Sequence, residues 1–376
     1  MKLQILQEKL KEGLGIVEKI SSKSLTLPIL NNILIETEKN FLNLSATDLE
    51  IGIKWWALTK IEKEGKITAP SKLLSGFVGS LPQKTINIEA VKDILNLKCE
   101  EYNAKIKGFS AEEYPLIPKI SKNEFISLNS AGFCRDLSQI SDIPSPSNSR
   151  PEISGIYFSV QKNLITAAAT DSFRLGEKKI LNISKSSITN NYSLIIPQKT
   201  IKEVINIFGD KEGDITIYFS PNQIMFEILM QETDHPQIQL ISRLIDGEYP
   251  NYKEIIPKNF STRIILNKDV FLNQIKTASL FSGKTNEIKL KASPEKKEIQ
   301  ILSQSPELGE HQSVITAQIT GEKAEVAFNY RFLWDGLNKA DNGEVVLDLN
   351  SDSGPGVVRS EGNETYTYVA MPIKSA

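Results

Sequence analysis

The sequence predicts an α+β fold made of three related domains, and three observations predict it. A strand running into an amphipathic helix occurs three times at near-equal spacing. Each third begins with a further helix of the same period. Between the helices, apolar segments with strand character follow one another, bounded by Gly, Pro, Asn and Asp turns such as Asp246-Gly247 and Asn342-Gly343. Strands in runs, instead of strict alternation with helices, imply mainly antiparallel sheets with the helices on one side.

The opening helices are marked by Leu10, Leu14 and Val17, by Phe133, Leu137 and Ile140, and by Phe271, Ile275 and Ala278, all spaced i, i+4, i+7 and so on one helical face. A short apolar strand follows each: NNILIE from Asn31, SGIYFSV from Ser154 and NEIKLKA from Asn286. The next strand ends in a polar turn, Thr47-Asp48 in the first copy and Thr170-Asp171 in the second. The strand-to-helix unit reads ITAPSKLLSGFVGSL from Ile67, LIIPQKTIKEVINIFG from Leu194 and VAFNYRFLWDGLNKA from Val326; in the second, Ile201, Val204, Ile205 and Phe208 predict one core face, with Lys199 and Lys202 on other faces. EEYPLIP from Glu112 and GEYPNYKEIIP from Gly247 close the first two copies. The expected domains are 1–123, 124–258 and 259–376.

Composition excludes several function classes. Apolar residues make up 40% and charged residues 24%, as in ordinary globular proteins. Met1 to Leu10 has no uninterrupted apolar stretch, and no segment reaches the roughly 18 apolar residues of a membrane span, so a cytoplasmic protein is expected. Cys99 and Cys134 lack CxxC spacing and His235 and His311 lie far apart, so no metal and no cofactor is expected. Ser282-Gly283-Lys284-Thr285 imitates the end of a phosphate-binding loop, but Ala278 stands where the first Gly should be and the segment follows a helix, so a helix end is expected. Asp48 and Asp171 sit in Thr-Asp turns, where a short carboxylate caps backbone N–H groups. No nucleophile and base pair suggests itself, so no enzyme is expected, and a binding or scaffolding role remains. A net charge of −2 would by itself argue against a tight nucleic-acid binder.

TLPILNNILIE from Thr26, SATDLEIG from Ser45, FSAEEYPLIP from Phe109, AATDSFRL from Ala168, LIIPQKTIKEVI from Leu194, LIDGEYPNYKEIIP from Leu244 and YVAMPIK from Tyr368 together resemble, in order and spacing, the bacterial DNA sliding clamp, the beta subunit of DNA polymerase III. The resemblance implies a processivity factor: three clamp domains per chain, with two chains closing head to tail into a six-domain homodimeric ring around double-stranded DNA. It implies an interface of Lys105, Ile106 and Lys107 against Leu280, Phe281, Glu307 and Glu310, the alternative being that these lysines form a solvated strand face. The segments it places around the hole, 7–21, 71–81, 129–143, 198–209, 267–283 and 330–340, carry eleven Lys and Arg against eight Asp and Glu. A weak positive excess suits a ring that holds DNA by topology and slides without reading bases. Lys23, Ser24, Arg150 and Lys199 are the expected DNA contacts, although Lys23-Ser24-Leu25 stands one residue out of register with the Arg usual there, and for any single Lys a solvated surface role stays open.

The same resemblance implies a groove for short linear motifs of the polymerase III catalytic subunit, the clamp loader, and other polymerases or repair proteins. Its implied residues are Ile153, Thr170, Ser172, Phe173, Arg174, Leu175, Pro250, Ile255, Asn329, Phe332, Pro355, Val369, Met371 and Pro372. Apolar walls with Thr170 and Arg174 as polar fixtures suit Leu and Phe anchors, and Met371 can repack around different ligands. Leu175, Ile255 and Val369 could alternatively be plain core strand residues. Phe173 replaces a smaller or polar residue of many members, and Glu254 occupies a position that can be Arg. The runner-up function is a multidomain scaffold that does not bind DNA; an enzyme with a pocket around Asp171 and Arg174 is a further alternative.

Overall fold

The computed structural model describes residues 1–21, 26–145, 147, 149–350 and 353–373; the expected DNA contacts Lys23 and Ser24 lie outside them. In the first third, β1 (Lys2–Leu6) leads into α1 (Gln7–Val17), then β2 (Asn32–Glu38), β3 (Phe41–Thr47), β4 (Ile51–Leu58), β5 (Lys60–Lys63), β6 (Gly65–Pro70), α2 (Ser71–Ser80), β7 (Thr85–Val91), β8 (Ile94–Cys99) and β9 (Tyr102–Lys107). The second third repeats this order as β10 (Phe125–Asn129), α3 (Ser130–Ser138), β11 (Gly155–Gln161), β12 (Leu164–Thr170), β13 (Arg174–Ile180), β14 (Ile183–Ser186), β15 (Tyr192–Pro197), α4 (Gln198–Phe208), β16 (Asp214–Phe219), β17 (Gln223–Leu229) and β18 (Pro236–Arg243). The last third repeats it again as β19 (Thr262–Asn267), α5 (Lys268–Ser279), β20 (Glu287–Ser293), β21 (Glu298–Ser305), β22 (Gly309–Thr316), β23 (Gln318–Gly321), β24 (Ala324–Asn329), α6 (Tyr330–Lys339), β25 (Glu344–Leu349), β26 (Gly356–Ser360) and β27 (Asn363–Ala370).

Each third therefore opens with a strand, where the helical spacing alone predicts a helix. In β1 the side chains alternate, Leu3 and Ile5 buried and Lys2 and Leu6 exposed, which is the two-residue period of a strand with one face in the core. The helix positions read from the sequence hold: Leu10, Leu14, Val17, Phe133, Leu137, Ile140, Phe271, Ile275 and Ala278 are all buried, although Ile140 lies just past the end of α3. On α4, Ile201, Val204 and Phe208 are buried and Ile205 half-buried, with Lys199 and Lys202 outside.

The sheets are antiparallel and do not respect the thirds. One has nine strands in the order β14-β10-β16-β17-β18-β4-β3-β2-β6, another nine in the order β15-β11-β12-β13-β27-β26-β25-β19-β23, and two smaller sheets run β5-β1-β7-β8-β9 and β22-β21-β20-β24. In both large sheets the ninth strand of one repeat pairs antiparallel with the fourth strand of the repeat before it, β18 with β4 and β27 with β13. The chain consequently divides into two compact units, Met1–Gly132 with Ile183–Thr189 and Glu203–Leu244, and Phe133–Asn182 with Asn190–Lys202 and Ile245–Ala376.

Two helix glycines bring helix and sheet into contact. A Cβ on Gly13 of α1 would lie 2.4 Å from the Trp55 ring, and one on Gly336 of α6 would lie 2.3 Å from Tyr368, both rings being buried. The phosphate-loop imitation resolves as a helix end: α5 stops at Ser279, a short 3₁₀ turn covers Gly283–Thr285, Asn286 is left-handed and β20 follows. A phosphate loop has the opposite order, strand before helix. Among the described residues no helix is long and apolar enough to cross a membrane.

Candidate partner-binding groove

The Thr-Asp turns set the geometry of the candidate site, and the two copies match hydrogen bond for hydrogen bond. In the first, the Thr47 hydroxyl donates to the Ile51 carbonyl at 2.9 Å and accepts from Leu49 N–H at 3.0 Å, while Asp48 Oδ1 accepts from Glu50 and Ile51 N–H at 3.0 and 2.7 Å. In the second, the Thr170 hydroxyl donates to the Arg174 carbonyl at 2.8 Å and accepts from Ser172 N–H at 3.2 Å, and Asp171 Oδ1 accepts from Phe173 and Arg174 N–H, both at 3.0 Å. Leu49 and Ser172 both adopt φ of 77°, a left-handed conformation that non-glycine residues seldom take and that here closes the turn.

The second copy adds a cation. Where the first has Ile51, the second has Arg174, whose Nε donates to the other oxygen of Asp171 at 2.9 Å. Its terminal nitrogens donate to Asp335 of α6 and, at 3.3 Å, to the Asp142 carbonyl. Burial alone would lower the Arg174 pKa, but Tyr368 and Asp171 outweigh it and hold the guanidinium above its ordinary value. The guanidinium also lies 5.3 Å from the Phe332 ring centre, and Phe332 stacks on Phe173 at 6.2 Å and 21°. Arg174 is thus clamped on several sides, with a cation–π contact beneath an aromatic pair.

The end of β27 completes the site. Leu175 pairs with Val369 across β13 and β27, Met371 N–H donates to the Phe173 carbonyl at 2.9 Å, and Pro372 bridges to Phe328, next to Asn329 at the start of α6. The Asn329 side chain accepts from Arg331 N–H at 3.0 Å and caps that helix, so its oxygen is already engaged. On the other side, the segment after Pro250 makes a short 3₁₀ turn in which buried Tyr252 donates to Glu177 at 2.8 Å, and Ile255 follows it. Burial, reinforced by Glu177, raises the Tyr252 pKa, so this hydroxyl remains a donor.

Exposure separates the expected groove residues into two layers. Leu175 and Val369 are buried in one core cluster with Ala168, Tyr252 and Val357, and Ile153 and Thr170 are buried as well. Leu175 and Val369 are thus packed in the core of their sheet. The outer layer is Phe173, 61% exposed, Ile255, 42%, and Met371, 37%, together with exposed Ser172 and half-buried Arg174, Pro250, Phe332, Pro355 and Pro372. Ile255 is thus surface, not core.

Two further residues belong to the surroundings of the groove. Arg150, one of the expected DNA contacts, donates to Ser172 at 3.1 Å and pairs with Glu152 at 3.4 Å, beside the groove. Asp335 was not foreseen; its one sequence signal is its place three residues after Phe332 on α6, on the same helical side. Lys199 is exposed on α4.

With the geometry in hand, comparison with known proteins is decisive. Three family models match along the chain, the DNA polymerase III beta subunit N-terminal domain over residues 1–118, its central domain over 127–251 and its C-terminal domain over 253–374. The chain belongs to the DNA polymerase III beta subunit family. Its relatives include the beta sliding clamp of Staphylococcus aureus, 27% identical over 371 residues and 95% of each chain, and that of Synechococcus elongatus, 28% identical over 380 residues, 100% of this chain and 99% of the relative. Among solved structures, the DNA polymerase sliding clamp of Bacillus subtilis aligns with a TM-score of 0.92 at 28% identity over the whole of both chains. The fold is equally that of the Pseudomonas aeruginosa beta subunit, TM-score 0.92 at 22% identity, again over both chains in full.

Proposed function

We propose that the chain is a DNA polymerase processivity factor, a sliding clamp that closes with a second copy into a ring around duplex DNA and docks partner proteins through the groove. The strand order carries the proposal. Every nine-stranded sheet joins a 5-1-7-8-9 half of one repeat to a 4-3-2-6 half of another, and the smaller sheets, β5-β1-β7-β8-β9 and β22-β21-β20-β24, are those same two halves left without a partner. Pairing β9 of one chain with β22 of a second would repeat the junction already made twice within the chain, and would remove both edges.

Side chains at those edges support the pairing. Lys105 and Lys107 are exposed on β9, Glu307 is exposed in the turn before β22 and Glu310 at its start, and Leu280, just after α5, is 69% exposed. Ile106 is buried at 3%, so it would offer only its backbone. Half-buried Phe281 stacks on His311 of β22 at 5.6 Å. Boundaries at 123/124 and 258/259 cut no strand or helix, in keeping with three domains of common design.

In the groove, Phe173, Ile255 and Met371 offer apolar contact around a fixed guanidinium, which suits a short peptide with Leu and Phe anchors. Partners of this kind would be the polymerase III catalytic subunit, the clamp loader, and other polymerases or repair proteins. Light scattering is expected to give twice the 42.0 kDa chain mass, and the loaded protein should stay on circular DNA and leave linear ends. A monomer, or equal retention on both DNAs, would overturn the reading.

A further inference from the structure

The first unit holds a cavity of about 570 Å³ on the outward face of its nine-stranded sheet, within a size range that suits a small organic ligand. Its wall is the connector around Pro118 to Lys122, and its floor includes Lys54 and Trp56, which point to the same face because they are two apart on β4. Nothing in the proposed clamp function uses it.

Two features of the cavity point to a ligand. The first is charge. Lys54 is half-buried, and among the described residues its ammonium has neither an ion pair nor a hydrogen bond. Burial, then the charge of Lys119, lower its pKa, and the smaller effect of Glu36 opposes them. Glu36 and Glu38 also line the cavity, but neither forms an ion pair with Lys54 or Lys119, so two lysine ammoniums facing one cavity remain available to an anion. Lys122 differs, because Glu227 already accepts from it at 2.5 Å.

The second feature is aromatic. Trp56 meets the His235 ring edge-on at 5.6 Å, and His235 is itself stacked on Phe41 at 3.9 Å, so these rings brace Trp56 beside the lysines. A braced indole next to two lysines that form no ion pair suits a ligand that is planar at one end and anionic at the other. Glu36, from the same cavity, is an acceptor suited to hydroxyl groups between those ends.

We infer that this cavity binds a phosphate-bearing planar ligand of the nucleotide class, with its phosphate between Lys54 and Lys119 and its ring against Trp56. A free nucleotide and an unpaired nucleotide at a nucleic-acid end share this chemistry, and the test separates them. Calorimetric titration of the full-length protein with adenosine diphosphate, to about 1 mM, is expected to show saturable binding. Lys119→Ala, on the exposed connector, and Lys54→Met should each weaken it by about tenfold or more, the scale of one charged contact. Trp56→Leu should weaken adenosine diphosphate but not inorganic pyrophosphate. A short single-stranded oligonucleotide that competes through the same three residues would identify the nucleic-acid source, and one that does not would identify the free nucleotide. Retention of groove-peptide binding shows each variant folded. Absence of saturable binding, or binding unchanged in Lys119→Ala and Trp56→Leu, would overturn the proposal.

Discussion

The duplicated Thr-Asp turn supplies an internal control for how the groove is held. In Asp171→Ala the N–H groups of Phe173 and Arg174 lose their acceptor and the Arg174 guanidinium loses a charged partner. Both side chains of that pair are mostly buried, at 14% and 12% exposure, so solvent screens the loss little. Charge-assisted hydrogen bonds contribute about 1.5–3 kcal/mol each; because Arg174 keeps Asp335 and the Asp142 carbonyl, the local loss should be about 2–4 kcal/mol in total. Asp48→Ala removes the same two backbone bonds, but Ile51 replaces the arginine, so about 1–2 kcal/mol is expected there. Native-state amide exchange at Phe173 and Arg174, compared with Glu50 and Ile51, reads these local openings without requiring the whole chain to unfold at once. Fluorescence polarisation with a labelled Leu/Phe peptide reads the groove: affinity should fall by about ten- to a hundredfold in Asp171→Ala, the equivalent of 1.4–2.8 kcal/mol, and stay unchanged in Asp48→Ala. Equal effects of the two substitutions on peptide affinity, or none from Asp171→Ala, would refute the idea that the turn acts by fixing Arg174.

Three further outcomes follow from named contacts. Gly336→Ala should lower the melting temperature through overpacking of about 1–3 kcal/mol, because its Cβ would meet the buried Tyr368 ring at 2.3 Å; differential scanning calorimetry measures this. Lys105→Glu with Lys107→Glu should shift light scattering toward monomer, and Glu307→Lys with Glu310→Lys on the partner edge should restore the dimer. Lys54→Met should be more stable than the parent at neutral pH, and the gap should narrow on alkalinisation: the folded pKa of Lys54 lies below 10.5, so between the two values the unfolded chain binds more protons and stability of the parent rises with pH. Thermal melts of both proteins from about pH 7 to pH 10 would show the convergence, and a constant gap would contradict it.

What the sequence made legible was local. Helical faces such as Phe271, Ile275 and Ala278 are set by backbone period and burial, and those survive in one dimension. The Thr-Asp turns were legible for the same reason, since a side chain capping the next two or three N–H groups involves only near neighbours. The opening strand KLQIL was missed because five residues leading straight into a helix give a weak alternating signal. The division of the groove residues depended on long-range pairing: Leu175 faces Val369 across almost two hundred positions, and nothing in either segment alone says which side chain of the pair reaches the surface. Asp335 and Arg150 belong to the same class, each located by a partner far away in the chain.

The repeat also gives a physical reason for the second copy proposed above. A domain of nine strands whose fourth and ninth strands both pair outward cannot satisfy its own edges, so three copies in a row satisfy two junctions and leave one of each edge over. β9 displays Lys105 and Lys107 and the approach to β22 displays Glu307 and Glu310, so like edges repel and unlike edges attract. That arrangement disfavours a symmetric β9-to-β9 contact and favours a heterologous one, which must either close or grow into a filament. Closure leaves neither β9 nor β22 free to recruit a third chain. The proposed ring would have to open at such a junction, because duplex DNA without free ends enters only through a broken ring.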